Sequence, residues 1–133
     1  MNRIEGQISG IQVSGSLSLV SVDCKGILLK SIIIDTPDTS DYLATGTKVQ
    51  LLFKETEIVI AKPGVREISL QNRILAVISA IKQGDLLCSV ILESDLGTLE
   101  AIISTNAVAD LSLQPGIEVL AMIKLNEIML SPC

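Results

Sequence analysis

Apolar and polar residues alternate along most of the chain, and this period-two pattern predicts β-strands. Residues 16–23 read "SLSLVSVD", and a change of phase at Val20 predicts a β-bulge there. The stretches "GILLKSIIID" and "GTLEAIIS" are nearly continuous apolar runs of the kind found in buried strands. Residues 106–116 differ, because their first apolar positions have helical spacing and a Pro-Gly turn closes the segment. The pattern therefore predicts a chain of short strands with few helices.

The same pattern occurs twice, at an offset of 70 positions and without a gap. Lys124 follows Lys54 at this distance, and "NRI" at residues 2–4 recurs at residues 72–74. The matches fall on apolar, glycine and lysine positions, which indicates a duplicated unit. We place the first unit at residues 1–63 and the second at 64–133. Pro63-Gly64 ends the first unit, and a linker of about residues 64–70 leads into the second.

Each unit predicts three strands, a short helix, a glycine-containing turn and two further strands. About five short strands in a unit of this size are typical of a small barrel of the OB type. The predicted fold is therefore all-β with short helices, built as two tandem five-stranded OB-like β-barrels. A barrel this small buries little apolar surface alone, so we expect it to pair with the other half or with other subunits.

Composition narrows the classes of function. The chain has 133 residues, 48% of them hydrophobic but only 2% aromatic, so the core must consist of Ile, Val and Leu. A net charge of −5 argues against nucleic-acid partners and against binding to an anionic membrane surface. No apolar run reaches the roughly 20 residues of a transmembrane helix, and the N-terminus lacks the apolar segment of a signal peptide.

Cysteine and histidine usage indicates a reduced, cytoplasmic protein. Three cysteines and no histidine make a zinc site or a disulfide framework improbable. We predict that Cys24 and Cys88 are buried as small hydrophobic side chains. The sequence also has no nucleophile elbow, no CxxC and no phosphate-binding loop. It therefore predicts a protein that is not an enzyme and needs no cofactor.

Two lysines stand within aliphatic stretches, and they suggest a bound anion. Lys124 lies in "EVLAMIKLNEIML" and Lys54 in "VQLLFKETEIVI". A lysine is rarely buried unless an anionic group replaces its water. A tetrahedral oxyanion needs several convergent N–H and O–H donors with a cation, and "SLQNR" at 69–73 and "STN" at 104–106 supply such donors. The alternatives are structural: Ser104 as a helix N-cap, and Lys124 as an edge lysine that discourages strand pairing.

Three segments of the second half resemble the Mop domain, the TOBE-like molybdate-binding unit of the molbindins. These segments are "SLQNR", "IISTNAVADLSLQPG" and "IKLNEIML". The resemblance implies two tandem Mop domains that bind molybdate or tungstate for storage or homeostasis in the cytoplasm. It further implies a homotrimer of two-domain chains with oxyanions at the interfaces between domains. The ligand residues that it implies are Ser69, Gln71, Asn72, Ser104 and Lys124, with Lys54 contributing less.

Departures from the Mop pattern keep a second interpretation open. Gln71 replaces the motif's arginine, and Ala107 replaces a serine at the helix start. In the first unit, Met1 falls opposite Gln71 and Ile34 falls opposite Ser104. The alternative is a structural or regulatory β-barrel module that has lost strong ligand binding. An OB-type single-strand nucleic-acid binder would need stacking aromatics and a basic groove, which this chain lacks.

Overall fold

The computed structural model describes residues 1–133, which form ten strands in two antiparallel sheets. The strands of the first half are β1 (Asn2–Ser14), β2 (Leu17–Cys24), β3 (Ile27–Ile33), β4 (Lys48–Phe53) and β5 (Val59–Ala61). Those of the second half are β6 (Asn72–Lys82), β7 (Leu87–Ser94), β8 (Gly97–Ser104), β9 (Glu118–Ile123) and β10 (Met129–Pro132). Helix α1 spans Thr105–Asp110, and single 3₁₀ turns follow β4 and β9 at Glu55–Glu57 and Leu125–Glu127. The predicted all-β class is confirmed.

Inward and outward side chains alternate along the strands, and the inward side chains of both halves form one hydrophobic core. In β2 the inward positions Ser18, Val20, Val22 and Cys24 are all fully buried, and the residues between them face outward. The core is a single cluster of 26 apolar residues contributed by both repeats, and it consists almost entirely of Ile, Val, Leu and Ala. The halves therefore do not have separate hydrophobic cores.

The last strand of each half is paired in the sheet of the other half. One sheet has the order β10-β4-β1-β2-β3, and the other has the order β5-β9-β6-β7-β8. The prediction that each unit forms a barrel from its own five strands is therefore wrong for the fifth strand. The backbone is extended on both sides of the first 3₁₀ turn, at Lys54 and at Ile58. The chain consequently continues forward after β4 and reaches β9, instead of reversing onto β4.

Closure of the sheets also differs from the prediction. The edge strands of the first sheet, β10 and β3, approach each other, but no ladder of hydrogen bonds joins them. No ladder joins β5 to β8 in the second sheet either. The sheets curl without closing into hydrogen-bonded rings. The boundary between two domains near residue 64 stays a prediction.

Two local elements were predicted at the wrong places. The register shifts that mark bulges lie at Ser9 in β1 and at the equivalent Ser79 in β6, not at Val20. The phase of β2 does not change, because Ser18 is buried and its hydroxyl donates to the carbonyl of Asp35 at 2.5 Å. A helix forms only in the second unit. In the first unit, the Thr36 carbonyl accepts from the N–H groups of residues 39 and 40, which makes a single turn.

Two buried asparagines join the sheets. The Asn72 amide donates to the Lys30 carbonyl at 2.8 Å, and its oxygen accepts from the Lys30 N–H at 2.7 Å. Asn2 makes the same two bonds, both 2.8 Å, with the backbone of Glu100. Asn2 and Asn72 are equivalent in the repeat, and so are Lys30 and Glu100. The pair of contacts thus relates the halves by an approximate twofold symmetry.

The cysteines behave as the sequence predicted. Cys24 and Cys88 are buried and unpaired, whereas Cys133 is exposed. Burial, and to a lesser extent the nearby Asp23 carboxylate, raises the pKa of Cys24 to about 11, which leaves this thiol protonated and unreactive. No helix has the length and apolar character required to cross a bilayer.

Candidate oxyanion site

The two lysines lie where strands end, not inside them. β9 stops at Ile123 and β4 stops at Phe53, and each following lysine is exposed and begins a 3₁₀ turn. The prediction of a lysine within a buried strand is therefore wrong. The sole ion pair in the chain joins the Met1 amino group to Glu55, so no carboxylate lies within 4.0 Å of the Lys124 ammonium. Lys124 is free to meet an external anion.

Lys124 and Ser69 line the same surface recess, which has a volume of about 400 Å³. Its other lining residues are Ile32, Leu70, Leu125 and Asn126. Lys124 arrives from the end of β9, Ser69 from the linker before β6, and Ile32 from β3 of the other sheet. The residues that line the recess thus include one ammonium, one hydroxyl and one side-chain amide beside three aliphatic side chains, and polar groups of these types can bind a small oxyanion.

The other two residues of the "SLQNR" segment lie elsewhere. Gln71 lines a neighbouring recess together with Leu28, Lys30 and Arg73. The Asn72 side chain is only 1% exposed, and both ends of its amide are bonded to the backbone of Lys30. Asn72 therefore joins the two sheets within the chain, and its role as a ligand stays a prediction.

Ser104 lies at the opposite end of its sheet from Lys124. Ser104 is the last residue of β8 and is paired with Leu87, the first residue of β7. Ile123, which precedes Lys124, is paired with Asn72 in a part of β6 that extends beyond the last residue of β7. The length of β7 separates these ends, which corresponds to roughly 20 Å. The Ser104 hydroxyl oxygen accepts from the Ala107 N–H at 3.0 Å and so caps helix α1. A single chain therefore does not bring Ser104 and Lys124 into one site.

Lys54 occupies the equivalent position in different surroundings. Its 3₁₀ turn packs against β8, just as the turn that follows Lys124 packs against the equivalent strand β3, so the difference lies in the nearby side chains. The backbone N–H of Lys54 donates to the Glu57 carboxylate at 2.7 Å. Asn126 lines the recess beside Lys124, whereas the position 70 residues earlier is a threonine, Thr56. The two lysines are equivalent by duplication but not by environment.

The glutamates of the two 3₁₀ turns lie together on the approximate symmetry axis. The interaction between the Glu57 and Glu127 side chains lowers the pKa of Glu57 and raises the pKa of Glu127, so the pair carries its charge preferentially on Glu57. Glu57 also accepts from the Lys54 backbone N–H, a contact without a counterpart at Lys124.

Sequence reasoning missed two residues near this recess. Asn126 lines it directly, and Arg73 bonds to the linker that carries Ser69. The signal for Asn126 was its position two residues after Lys124 in "IKLNEIML". No signal separated Arg73 from an ordinary surface arginine, because its partners are backbone carbonyls.

Comparison with known proteins gives a match to one family model, over the second half of the chain. Residues 68–130 match the TOBE domain. This segment contains every candidate residue except Lys54. No curated protein sequence matches the chain.

Two solved structures are similar to the chain. The first is the cytoplasmic molybdate-binding protein ModG with molybdate bound, at 23% identity and a TM-score of 0.91, covering 99% of this chain and 96% of that protein. The second is a molybdate-binding protein from Sporomusa ovata, at 32% identity and a TM-score of 0.43, covering 44% of this chain and 88% of that protein. The likeness to ModG establishes that the TOBE segment and the half before it share the fold of that protein over nearly their whole length.

Proposed function

We propose that the chain is a cytoplasmic oxyanion-binding protein that holds molybdate or tungstate for storage or homeostasis. The observation that carries the proposal is the recess in which Lys124, Ser69 and Asn126 converge. These residues come from segments more than 50 positions apart, so their meeting is a property of the fold. The TOBE match and the likeness to a molybdate-bound ModG support the choice of ligand.

The chemistry of the recess fits a tetrahedral dianion. The Lys124 ammonium supplies charge, the Ser69 hydroxyl and the Asn126 amide supply neutral donors, and no carboxylate pairs with the lysine. Charge-assisted hydrogen bonds of this type are about twice as strong as neutral ones. The metal would enter only as its oxyanion, so the protein needs no metal-coordinating side chains.

The site needs a neighbouring copy to close it. The recess is far larger than one small oxyanion, and Ser104 lies at the other end of the sheet. The Ser104 oxygen accepts from Ala107, which leaves its O–H free to donate to an anion held by another chain. We therefore propose a homotrimer in which oxyanions lie between subunits.

The trimer predicts a particle of about 42 kDa, three times the chain mass of 14.1 kDa. Equilibrium sedimentation at micromolar concentration checks this mass. A monomer of 14.1 kDa that still binds molybdate would contradict the shared site.

The second candidate function is a structural or regulatory module that has lost strong binding. The substitutions Gln71 and Ala107 favour it, because both remove donors from the pattern of the Mop motif. Direct titration with the anion distinguishes the two proposed functions.

We expect calorimetric titration to show binding of molybdate and tungstate and far weaker binding of sulfate. Molybdate and tungstate have nearly the same size and charge, whereas sulfate is smaller and would make longer, bent hydrogen bonds to preorganised donors. Displacement of molybdate by sulfate at equal concentration would count against a preorganised site. No heat with any of the three anions would favour the module.

A further inference from the structure

Arg73 binds the linker between the two units through four hydrogen bonds. Its Nε donates to the Leu70 carbonyl at 2.8 Å, and its Nη1 donates to the Val65 carbonyl at 3.0 Å. Its Nη2 donates to the carbonyls of Arg66 and Ile68, both at 3.1 Å. A guanidinium has five N–H donors in a rigid fork, so four of the five are directed at one short stretch of backbone.

This stretch has no strand to pair with. Residues 62–71 belong to no helix or strand, and the one backbone bond inside the linker is from the Ile68 N–H to the Arg66 carbonyl. Arg73 itself is fixed in β6, where it is paired with Met122 of β9. A rigid sheet residue therefore holds a segment that would otherwise be mobile.

We propose that Arg73 is a positioning residue that fixes residues 65–70 so that Ser69 faces Lys124. The inference rests on the proposed function, since it concerns the recess in which the oxyanion would bind. Arg73 does not line this recess. It therefore acts through the linker backbone and not by touching the anion.

The duplication supplies a matched control. Arg3 stands at the equivalent position of the first unit, in the same "NRI" tripeptide, and is paired with Leu52 as Arg73 is with Met122. Its side chain makes no hydrogen bond and lines a different recess with Glu5 and Lys25. Arg3→Met removes the same charge from the same strand position without releasing the linker.

The test compares the full-length parent chain with Arg73→Met, Arg73→Lys and Arg3→Met. Calorimetry with molybdate measures affinity, and thermal unfolding by circular dichroism confirms that each variant folds. Trypsin cleavage after Arg66, followed by mass spectrometry, measures release of the linker. Arg73→Lys keeps the charge, but an ammonium with three donors cannot reproduce the four-carbonyl contact.

We expect Arg73→Met to weaken molybdate binding by about tenfold, because Ser69 must then be ordered during binding. Arg73→Lys should lose most of the same affinity, and Arg3→Met should stay within about twofold of the parent. Cleavage after Arg66 should be about tenfold faster in both Arg73 variants and unchanged in Arg3→Met.

Three results would overturn the positioning role. These are parent-like affinity in Arg73→Met, full rescue of affinity by Arg73→Lys, and an equal loss in Arg3→Met. If the parent itself does not bind molybdate, the proposed function fails instead. In that case trypsin cleavage after Arg66 still tests whether Arg73 holds the linker. Equal cleavage rates in the parent and in Arg73→Met would reject that role.

Discussion

Replacing Lys124 with methionine should weaken molybdate binding by about ten- to hundredfold and leave the fold intact. A charge-assisted hydrogen bond contributes about 1.5–3 kcal/mol, which corresponds to this range of affinity. Lys124 is exposed and makes no ion pair, and within the chain its ammonium acts only as a charge near Glu127. Methionine keeps an unbranched aliphatic side chain beside Leu125 and removes only the charge. Calorimetry measures the loss, after circular dichroism confirms that the variant folds.

Lys54→Met is the matched control for this prediction. Lys54 begins the equivalent 3₁₀ turn, but Thr56 stands where the second half has Asn126, and the Lys54 N–H binds Glu57. Its replacement should therefore cost less affinity than the replacement of Lys124. If Lys124→Met binds molybdate like the parent, Lys124 serves only to keep the end of β9 soluble, and the site assignment fails.

Replacing Asn72 with alanine should lower the free energy of unfolding by about 2–4 kcal/mol. The substitution leaves the N–H and the carbonyl of Lys30 without partners at a partly buried contact, and an unsatisfied buried polar group costs about 1–3 kcal/mol. Asn2→Ala should have a comparable effect, since Asn2 makes the same pair of bonds with Glu100. Urea denaturation followed by circular dichroism measures both values.

Asn126→Ala separates this structural role from ligand binding. Asn126 is exposed and lines the recess beside Lys124, so its loss should reduce molybdate affinity with little change in stability. Asn72→Ala, in contrast, should clearly lower the free energy of unfolding. Equal stability of the two variants would show that the Asn72 amide does not hold the sheets together.

Most of the fold could be read from the sequence, but the exchange of strands could not. Alternation predicted the strands, and the offset of 70 positions predicted that both halves fold alike. The structure places equivalent bulges at Ser9 and Ser79, where the sequence had predicted none. β4 and β9, however, are copies of each other. A fifth strand that fits one therefore also fits the other, and only the direction of the chain after Lys54 and Lys124 decides between them. No side-chain pattern encodes that direction.

The candidate site was predicted in part for a similar reason. Ser69 and Lys124 line one recess, but their role as ligands stays a prediction. Asn72 was assigned to the ligand because a buried amide that joins two sheets and an amide that binds an anion look the same in sequence. Ser104 was assigned to the same site because its strand was known but its end of the sheet was not. The end of the sheet at which a residue lies depends on the register of all the strands, and the type of that residue does not reveal it.

The exchange of β5 and β10 also explains how the sequence of one half of a duplicated protein can diverge while the half is retained. Each sheet is completed by a strand from the other half, and one apolar core spans both. The first half therefore has to be retained for the second half to fold, even if it binds nothing. Residues such as Ile34, which replaces Ser104 in the repeat, can then change without loss of the protein. Either half is thus required for its strand and its share of the core, independently of any ligand that it binds.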